Sequence, residues 1–545
     1  MLYREKYERW LGEGRIDDNT RAELKNMNEK EIEDSFYREL EFGTGGLRGV
    51  MGAGTNRMNT YTVRQATQGL ALYIASLGGD AMAKGVAIAY DSRNNSASFA
   101  YECARVLSAN GIKVYLFESL RPTPMLSFTV RYLGCAAGIV ITASHNPKEY
   151  NGYKVYGSDG AQAAPEMAKE ILGYISSVDV FDGVKVTDES KIEYIGKDID
   201  DAYVAAVKGE SLGVAIPDDF SVIYTPLHGS GNLPVRRILS EIGVKNVTVV
   251  SEQEMPNGDF PTVKSPNPEN KEAFDIAIEY AKRSGADVII GTDPDSDRIG
   301  VVVPERDGSF TVLNGNQTGV ILTEYILRKN AEKGMPKNPR VVKTIVTTEM
   351  VRRVAEAYGA KTVDVLTGFK YIGDKIKEYE ASGETYMFGL EESYGYLKGS
   401  YARDKDAVVA AMLVCEACAE CKAEGITLSE RLGQLYKKYG FHKERLLNYT
   451  FKGIEGAEKI KSIMALFRAH PTFEGEISRL DYSKGIDGLP PSDVLKYFRR
   501  DGWFAARPSG TEPKIKFYLA LSADTEAECD AKLDELAQVI ENLVN

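Results

Sequence analysis

Three apolar runs in the chain end the same way, in an abrupt cluster of polar residues: "AAGIVITASHNP" (136–147), "ADVIIGTDPDSDR" (286–298) and "YMFGLEESYG" (386–395). Strand-like and helix-like patterns alternate ahead of each. In the first case "VAIAYDSR" (86–93), "SASFAYECARVLSANG" (96–111), "KVYLFES" (113–119) and "TPMLSFTVRYLG" (123–134) read as strand, helix, strand, helix. "SVIYTPLHGSG" at 221 opens a second unit and "RVVKTIVTT" at 340 a third. This alternation predicts layered, mostly parallel α/β sheets. Ligands of such sheets bind beyond the carboxyl ends of the strands, so three units with three polar loops predict one shared cleft. After about residue 445 the texture changes. The tail holds "FAARPSGTEPKIKFYLALSA" (504–523) and an amphipathic helix, which reads as a smaller α+β domain.

The net charge of −12 argues against nucleic acid or an anionic membrane as partner. It also demands that any cations holding an anionic substrate be clustered. The first ten residues, "MLYREKYERW", are charged, and no apolar run approaches the roughly 18 residues of a membrane helix. A cytoplasmic chain with reduced thiols is expected. Cys415, Cys418 and Cys421 form CxxCxxC on an Ala-rich helical stretch. An iron–sulfur site wants a fourth thiolate, and the only later cysteine is distant Cys529, so packed thiols are the expectation.

"DPDSDR" sets Asp293, Asp295 and Asp297 at alternate positions, where hard oxygen ligands can converge on Mg²⁺ or Ca²⁺. A calcium-loop reading fails, because its sixth position is Arg298 and its twelfth Pro304. A solvated acidic turn is the alternative, but three carboxylates directly after an apolar strand repel one another unless neutralised. In "RPSGTEPK" (507–514), Arg507 offers a planar fork of donors, Ser509 and Thr511 hydroxyls, and Gly510 a close backbone approach for a phosphate. Taken alone this is equally an ordinary turn. "GLEESYG" places Glu391 and Ser393 two apart, on one side of an extended segment, as acceptors for sugar hydroxyls or as a plain surface loop. No Walker sequence occurs, and "FGTGGLRG" (42–49) is a poor dinucleotide fingerprint.

Ser144, in "TASHNP", invites comparison with a hydrolase nucleophile. A triad needs a histidine in reach and a carboxylate to orient it. His145 is adjacent, and neighbouring side chains in a strand point apart; no GxSxG elbow surrounds the serine. Beside a metal site and a phosphate cradle, the serine makes more sense as a phosphoryl carrier.

These four loops, in this order, resemble those of the α-D-phosphohexomutase superfamily: "TASHNP" its phosphoserine loop, "DPDSDR" its metal loop, "GLEESYG" its sugar loop and "RPSGTEPK" its phosphate loop. "FGTGGLRG" and "YNGYK" match as well, and the resemblance spans nearly the whole chain. It implies an α/β fold of four domains around a central cleft, three related mixed-sheet units and a smaller C-terminal α+β domain, with divisions expected at 1–205, 206–320, 321–445 and 446–545. It implies that Ser144 carries the phosphoryl group and, with Asp293, Asp295 and Asp297, forms the Mg²⁺ site. Lys154 matches a proton-transfer lysine, Arg48 a basic group near the reacting phosphate, and His145 a position near the reacting oxygen. Arg298, Glu391, Ser393 and Lys405 are implied substrate contacts, and Arg507, Ser509, Gly510 and Thr511 the cradle for the non-reacting phosphate.

The implied reaction moves a phosphoryl group between the 1- and 6-positions of a hexose phosphate, through a serine phosphate and a sugar 1,6-bisphosphate. The "EES" form followed by an aromatic resembles glucose-acting mutases, while Tyr394 departs from the Gly-His ending of mannose and glucosamine enzymes. "YTPLHGSG" and "DKDAV" resemble the longer phosphoglucomutase branch, which also contains phosphopentomutases. Glucose 1-phosphate and glucose 6-phosphate are the expected pair, with glucose 1,6-bisphosphate as intermediate. Mannose or pentose phosphates, a metal-dependent sugar phosphatase and a non-catalytic sugar-phosphate binder are the alternatives. The sequence implies no oligomeric state.

Overall fold

A computed structural model describes residues 3–544 apart from Thr44, Thr187, Lys452, Asp487 and 510–513, and apart from the side chains of Ile454 and Ala457. The first sheet holds β1 (Gly46–Val50), β2 (Val86–Tyr90), β3 (Val114–Phe117), β4 (Ala137–Ile141), β5 (Tyr150–Gly157) and β6 (Ile192–Ile195), in the order β1-β5-β4-β2-β3-β6. The second holds β7 (Ser221–Thr225), β8 (Asn246–Val249), β9 (Val288–Thr292), β10 (Ile299–Pro304) and β11 (Phe310–Leu313), in the order β11-β10-β9-β7-β8. The third orders β12 (Pro339–Thr344), β13 (Lys361–Val365), β14 (Thr385–Glu391) and β15 (Gly395–Leu397) as β13-β12-β14-β15.

One plan underlies all three sheets. In each unit one strand, β2, β7 or β12, is central; the next in sequence pairs parallel on one side and the one after it parallel on the other. The next strand then returns antiparallel against the third, as β5 on β4, β10 on β9 and β15 on β14. Parallel strands with both faces covered by helices become continuous apolar runs, and β4 and β9 are buried at every position. The sheets are thus mixed. Their three core strands are parallel as the sequence suggests, and the return strand is what the pattern did not announce.

The fourth sheet is antiparallel throughout: β16 (Phe441–Thr450), β17 (Glu476–Asp481), β18 (Leu495–Arg499), β19 (Gly502–Pro508) and β20 (Lys514–Ala523), ordered β16-β20-β19-β18-β17. Helices Gly453–Ala469 and Glu526–Val544 complete this α+β domain around its own core of Phe467, Phe504 and Phe517. The first three units share one larger core, which joins Phe117 of the first, Tyr224 of the second and Phe388 of the third. Helix Ala407–Ala423 runs through it with Cys415, Cys418 and Cys421 all buried, and burial pushes the Cys421 thiol up to about 11. The helices Lys197–Gly209 and Gly315–Lys333 and strand β16 run unbroken through positions 205/206, 320/321 and 445/446.

The fourth domain docks on the third unit through Trp503 and Tyr518 against Ile345, Val346 and Leu366. Lys496 of β18 is buried in this contact, donates to the Ile345 carbonyl at 2.5 Å and lies 4.1 Å from the centre of the Trp503 ring. Burial, aided by the charge of Lys343, pulls its ammonium down to about 7. A folded-state pKa below the unfolded one means that, between about pH 7 and 10, the unfolded chain binds the extra proton, so Lys496 favours folding more as pH rises. Lys496→Met removes this dependence. The stability of wild type relative to Lys496→Met, from urea unfolding midpoints, is expected to rise between pH 7 and 9.

Candidate active site

In each of the first three units the polar cluster is the turn between the third parallel strand and its antiparallel return. Each turn carries one non-glycine residue in the left-handed region: Ser144 (φ 52°), Ser296 (φ 51°) and Tyr394 (φ 65°). Such a conformation costs about 1–2 kcal/mol for an L-residue and persists only where surroundings enforce it. Backbone hydrogen bonds tie the three units together around these turns. Thr123 N–H, at the start of helix Thr123–Leu133, donates to Asp295 O at 2.9 Å, Ala407 N–H to Ser296 O at 3.1 Å, and Ile299 N–H to Tyr394 O at 3.2 Å.

The three aspartates converge at this junction, each offering one carboxylate oxygen within 4.8 Å of the others, and all are buried. Asp293 Oδ2 accepts from Ser144 Oγ at 2.6 Å, and its Oδ1 from the amides of Asp297 and Arg298 at 3.1 and 3.0 Å. Asp295 Oδ2 accepts from Thr123 Oγ1 at 2.9 Å and Lys154 Nζ at 3.2 Å. Lys405 Nζ lies 3.1 Å from Asp297 Oδ2. Asp295 Oδ1 and Asp297 Oδ1 are buried with no hydrogen-bond partner.

Burial, then the charges of Asp295 and Asp297, push the Asp293 carboxyl well above the usual range. Burial acts the same way on Asp295, but Lys154, with hydrogen bonds including that from Thr123, outweighs it and holds that carboxyl low. For Lys405 burial works against the charge, while Asp297, Asp404 and Glu391 overcome it and keep the ammonium protonated. Three hard carboxylates with two orphaned oxygens suit a divalent cation, and the residues present fit one.

Ser144 Oγ is 3.2 Å from His145 Nδ1, so the two side chains meet where a strand geometry would part them. The reason is that β4 ends at Ile141 and Ser144 turns left-handed. Burial, then the charges of Arg298 and Arg48, push His145 well below its ordinary pKa, so the ring is neutral. Among the described residues no carboxylate hydrogen-bonds that ring, so the orienting member of a hydrolytic triad is missing.

β5 carries Lys154 to the aspartates, and β1 lies beside it with Gly46 opposite Lys154. A Cβ at Gly46 would stand 2.2 Å from Tyr153 O, so "TGGLRG" needs a bare backbone here to pack. Arg48, exposed on β1, donates to Asn146 Oδ1 at 3.2 Å in the serine loop. In the third unit Glu391 is buried and accepts from Gly368 N–H at 2.9 Å. Ser393 is not on an extended segment: β14 ends at Glu391 and a turn follows, so the same-side expectation for this pair does not apply. Gly395 leaves room for the Lys405 side chain, whose Cδ would lie 2.1 Å from a Cβ there. Arg298 pairs with Glu269 at 2.5 Å.

Arg507 lies on β19 opposite Lys516 of β20, beside Tyr518 and near Tyr371 of the third unit. Ser509 N–H donates to Lys514 O at 2.8 Å. Gly510 and Thr511 lie outside the described residues. Sequence reading passed over Lys516, half-buried and near Glu269 and Glu392, and Thr123 at the helix start. It also passed over Asp91 and Arg93, whose signal was "DSR" directly after β2.

A parallel three-strand core repeated three times, with a carboxylate cradle and a serine at the joint, defines a class of phosphoryl-transfer scaffold. The chain belongs to the phosphoglucomutase/phosphomannomutase family: residues 39–180, 201–308 and 314–439 match its alpha/beta/alpha domains I, II and III, and 452–541 its C-terminal domain. It is 37% identical over 519 residues to a phosphoglucomutase of Staphylococcus epidermidis, covering 92% of this chain and 94% of that protein. A Staphylococcus saprophyticus phosphoglucomutase is 36% identical over 557 residues, covering 96% and 99%. The fold also matches the open form of the Paramecium phosphoglucomutase parafusin, at TM-score 0.70 and 19% identity over 93% of this chain and 96% of that one. No helix among the described residues is long and apolar enough to cross a membrane.

Asp295→Asn removes one charge and leaves the fold's backbone contacts in place. Its divalent-cation affinity by calorimetric titration is expected to fall by more than about tenfold, or roughly 1.4 kcal/mol, with an unchanged circular dichroism spectrum.

Proposed function

We propose that this chain interconverts glucose 1-phosphate and glucose 6-phosphate, with the phosphoryl group carried on Ser144 and glucose 1,6-bisphosphate as the intermediate. The observation that carries this reading is the position of Ser144 Oγ, 2.6 Å from a carboxylate of the three-aspartate cradle. Long relatives named phosphoglucomutase, matched over most of their length, support it. The cation we assign is Mg²⁺, which favours oxygen ligands and readily shares its shell with phosphate. A distant fold neighbour, an Aspergillus fumigatus N-acetylphosphoglucosamine mutase (TM-score 0.51, 14% identity), was solved with GlcNAc-6P and magnesium. Held by Asp293, Asp295, Asp297 and an oxygen on Ser144, Mg²⁺ supplies neutralising charge to the phosphoryl oxygens.

The chain's own groups do the positioning. The substrate hydroxyl attacks phosphorus, the bond from phosphorus to Ser144 Oγ breaks, and a proton passes from the hydroxyl to the serine oxygen. Lys154 handles that proton in our assignment. His145, neutral and 3.2 Å from Ser144 Oγ, supports the oxygen by hydrogen bonding. Arg48 and Lys405 flank the reacting phosphate and sugar, and Arg298 closes the second loop. Glu391 and Ser393 grip hydroxyls. Arg507 and Ser509, with Gly510 and Thr511, hold the phosphate that is not reacting. Because the fourth domain has its own core, it can hold either end of the bisphosphate while the first three units stay fixed. Six cysteines, all buried and unpaired, support a cytoplasmic setting.

Ser144→Ala is expected to abolish isomerisation of glucose 1-phosphate, assayed with Mg²⁺ and a trace of glucose 1,6-bisphosphate, while the thermal unfolding curve is kept. Substantial residual turnover in that variant sinks the serine's role. Across glucose, mannose, glucosamine and ribose phosphates, kcat/KM is expected to be highest for glucose. Release of free phosphate without isomer would make the protein a phosphatase instead.

A further inference from the structure

Arg93 is wholly buried, yet its guanidinium is spent on backbone. Its Nη2 donates to Ser144 O and Asn146 O, each at 2.5 Å, and its Nη1 to Pro147 O at 2.9 Å and Tyr150 O at 3.2 Å. Four carbonyls of the serine turn therefore converge on one side chain. Five donors fixed in a planar fork make this possible, and a lysine cannot reproduce it.

The other side of the same turn is held from the same place. Asp91 Oδ2, 3.4 Å from Arg93 Nε, accepts from Thr142 Oγ1 at 2.6 Å, and that hydroxyl accepts from Ser144 N–H at 2.7 Å. Asp91 Oδ1 accepts from Ser96 Oγ at 2.7 Å and from Arg93 N–H at 2.9 Å. Both peptide groups flanking Ser144 are thus pinned, its N–H through Thr142 and its C=O through Arg93. Pinning both enforces a left-handed serine, which a free chain would abandon.

A third contact comes from the second unit. The Phe260 ring lies under the Arg93 guanidinium at 5.1 Å, and Ser265 Oγ donates to His145 O at 2.6 Å. Phe260 is itself left-handed, at φ 44°. The segment that carries it thus meets both Arg93 and the serine turn.

We propose that Arg93 is a positioning residue for phosphoryl transfer: it sets the left-handed backbone of Ser144 and so aims Oγ at the cation cradle, with Phe260 as its backstop. It touches neither substrate nor phosphate. The proposal rests on the mutase reading for its kinetic consequence and on geometry alone for its structural one.

A small misplacement of a reacting group costs about 10²-fold in rate. Arg93→Lys is therefore expected to lower kcat by about 100-fold while the KM for glucose 1-phosphate stays within about twofold, because the sugar and distal phosphate are held by the third unit and fourth domain. Hydrogen exchange read by mass spectrometry is expected to speed up in 143–150 and to stay unchanged in β2 and β9. Phe260→Leu, which keeps an apolar backstop but removes the ring face, is expected to give the same pattern more mildly, and it serves as the second variant if Arg93→Lys folds poorly. A kcat equal to wild type in a folded Arg93→Lys, or, where that variant folds poorly, a folded Phe260→Leu with wild-type kcat and unchanged exchange in 143–150, overturns the proposal. If wild type itself isomerises no sugar phosphate, the mutase reading fails, and the exchange pattern alone then decides the role of Arg93.

Discussion

Three carboxylates buried within 4.8 Å of one another cannot all be charged unless positive charge is brought to them, and that requirement organises the molecule. The second unit supplies the aspartates but not enough compensation. Lys154 comes from the return strand of the first unit and Lys405 from the segment after the return strand of the third. The start of helix Thr123–Leu133 adds a hydroxyl to the Asp295 carboxylate and an amide to its main-chain carbonyl, at the helix end where partial positive charge gathers. No unit makes the site by itself. A core continuous from Phe117 through Tyr224 to Phe388 is the packing counterpart of that electrostatic dependence.

The parallel strands were legible because burial on both faces writes them as unbroken apolar runs, as in "AGIVI" and "VIIGT". The loops were legible because polar clusters interrupt those runs. The return strands were not, since "NGYKVYG" and "IGVVVP" have the same local texture as any strand and their direction is set only by tertiary pairing. The meeting of Ser144 and His145 escaped for a related reason. Strand alternation separates neighbours, and nothing local says that the strand has already ended and the backbone has turned left-handed. Thr123 and Lys516 reach the site from elements far away in sequence, so no spacing betrays them.

Legibility also differed between the aspartates and the polar pair of the third unit. The aspartates announce themselves by repulsion, a physical cost visible in any sequence. Glu391 and Ser393 carry no such cost, and the structure shows them in different settings, one buried at a strand end and the other half-exposed in a turn. Tyr394, the departure that bears on which sugar is used, has a buried ring and contributes its carbonyl to Ile299. Its identity therefore answers partly to packing.

Three of the joints between the units are made of main chain alone. Thr123 N–H to Asp295 O, Ala407 N–H to Ser296 O and Ile299 N–H to Tyr394 O use groups that nearly every residue possesses. A changed side chain at Ser296 or Tyr394 leaves these three joints in place, whereas the links from Ser144 to Asp293 and from Lys154 to Asp295 depend on the side chains themselves. The second and third turns can therefore change side chains without loosening their main-chain joints, while the serine turn keeps its place only with Arg93, Thr142 and Asp293. The scaffold separates what must stay from what is free to drift.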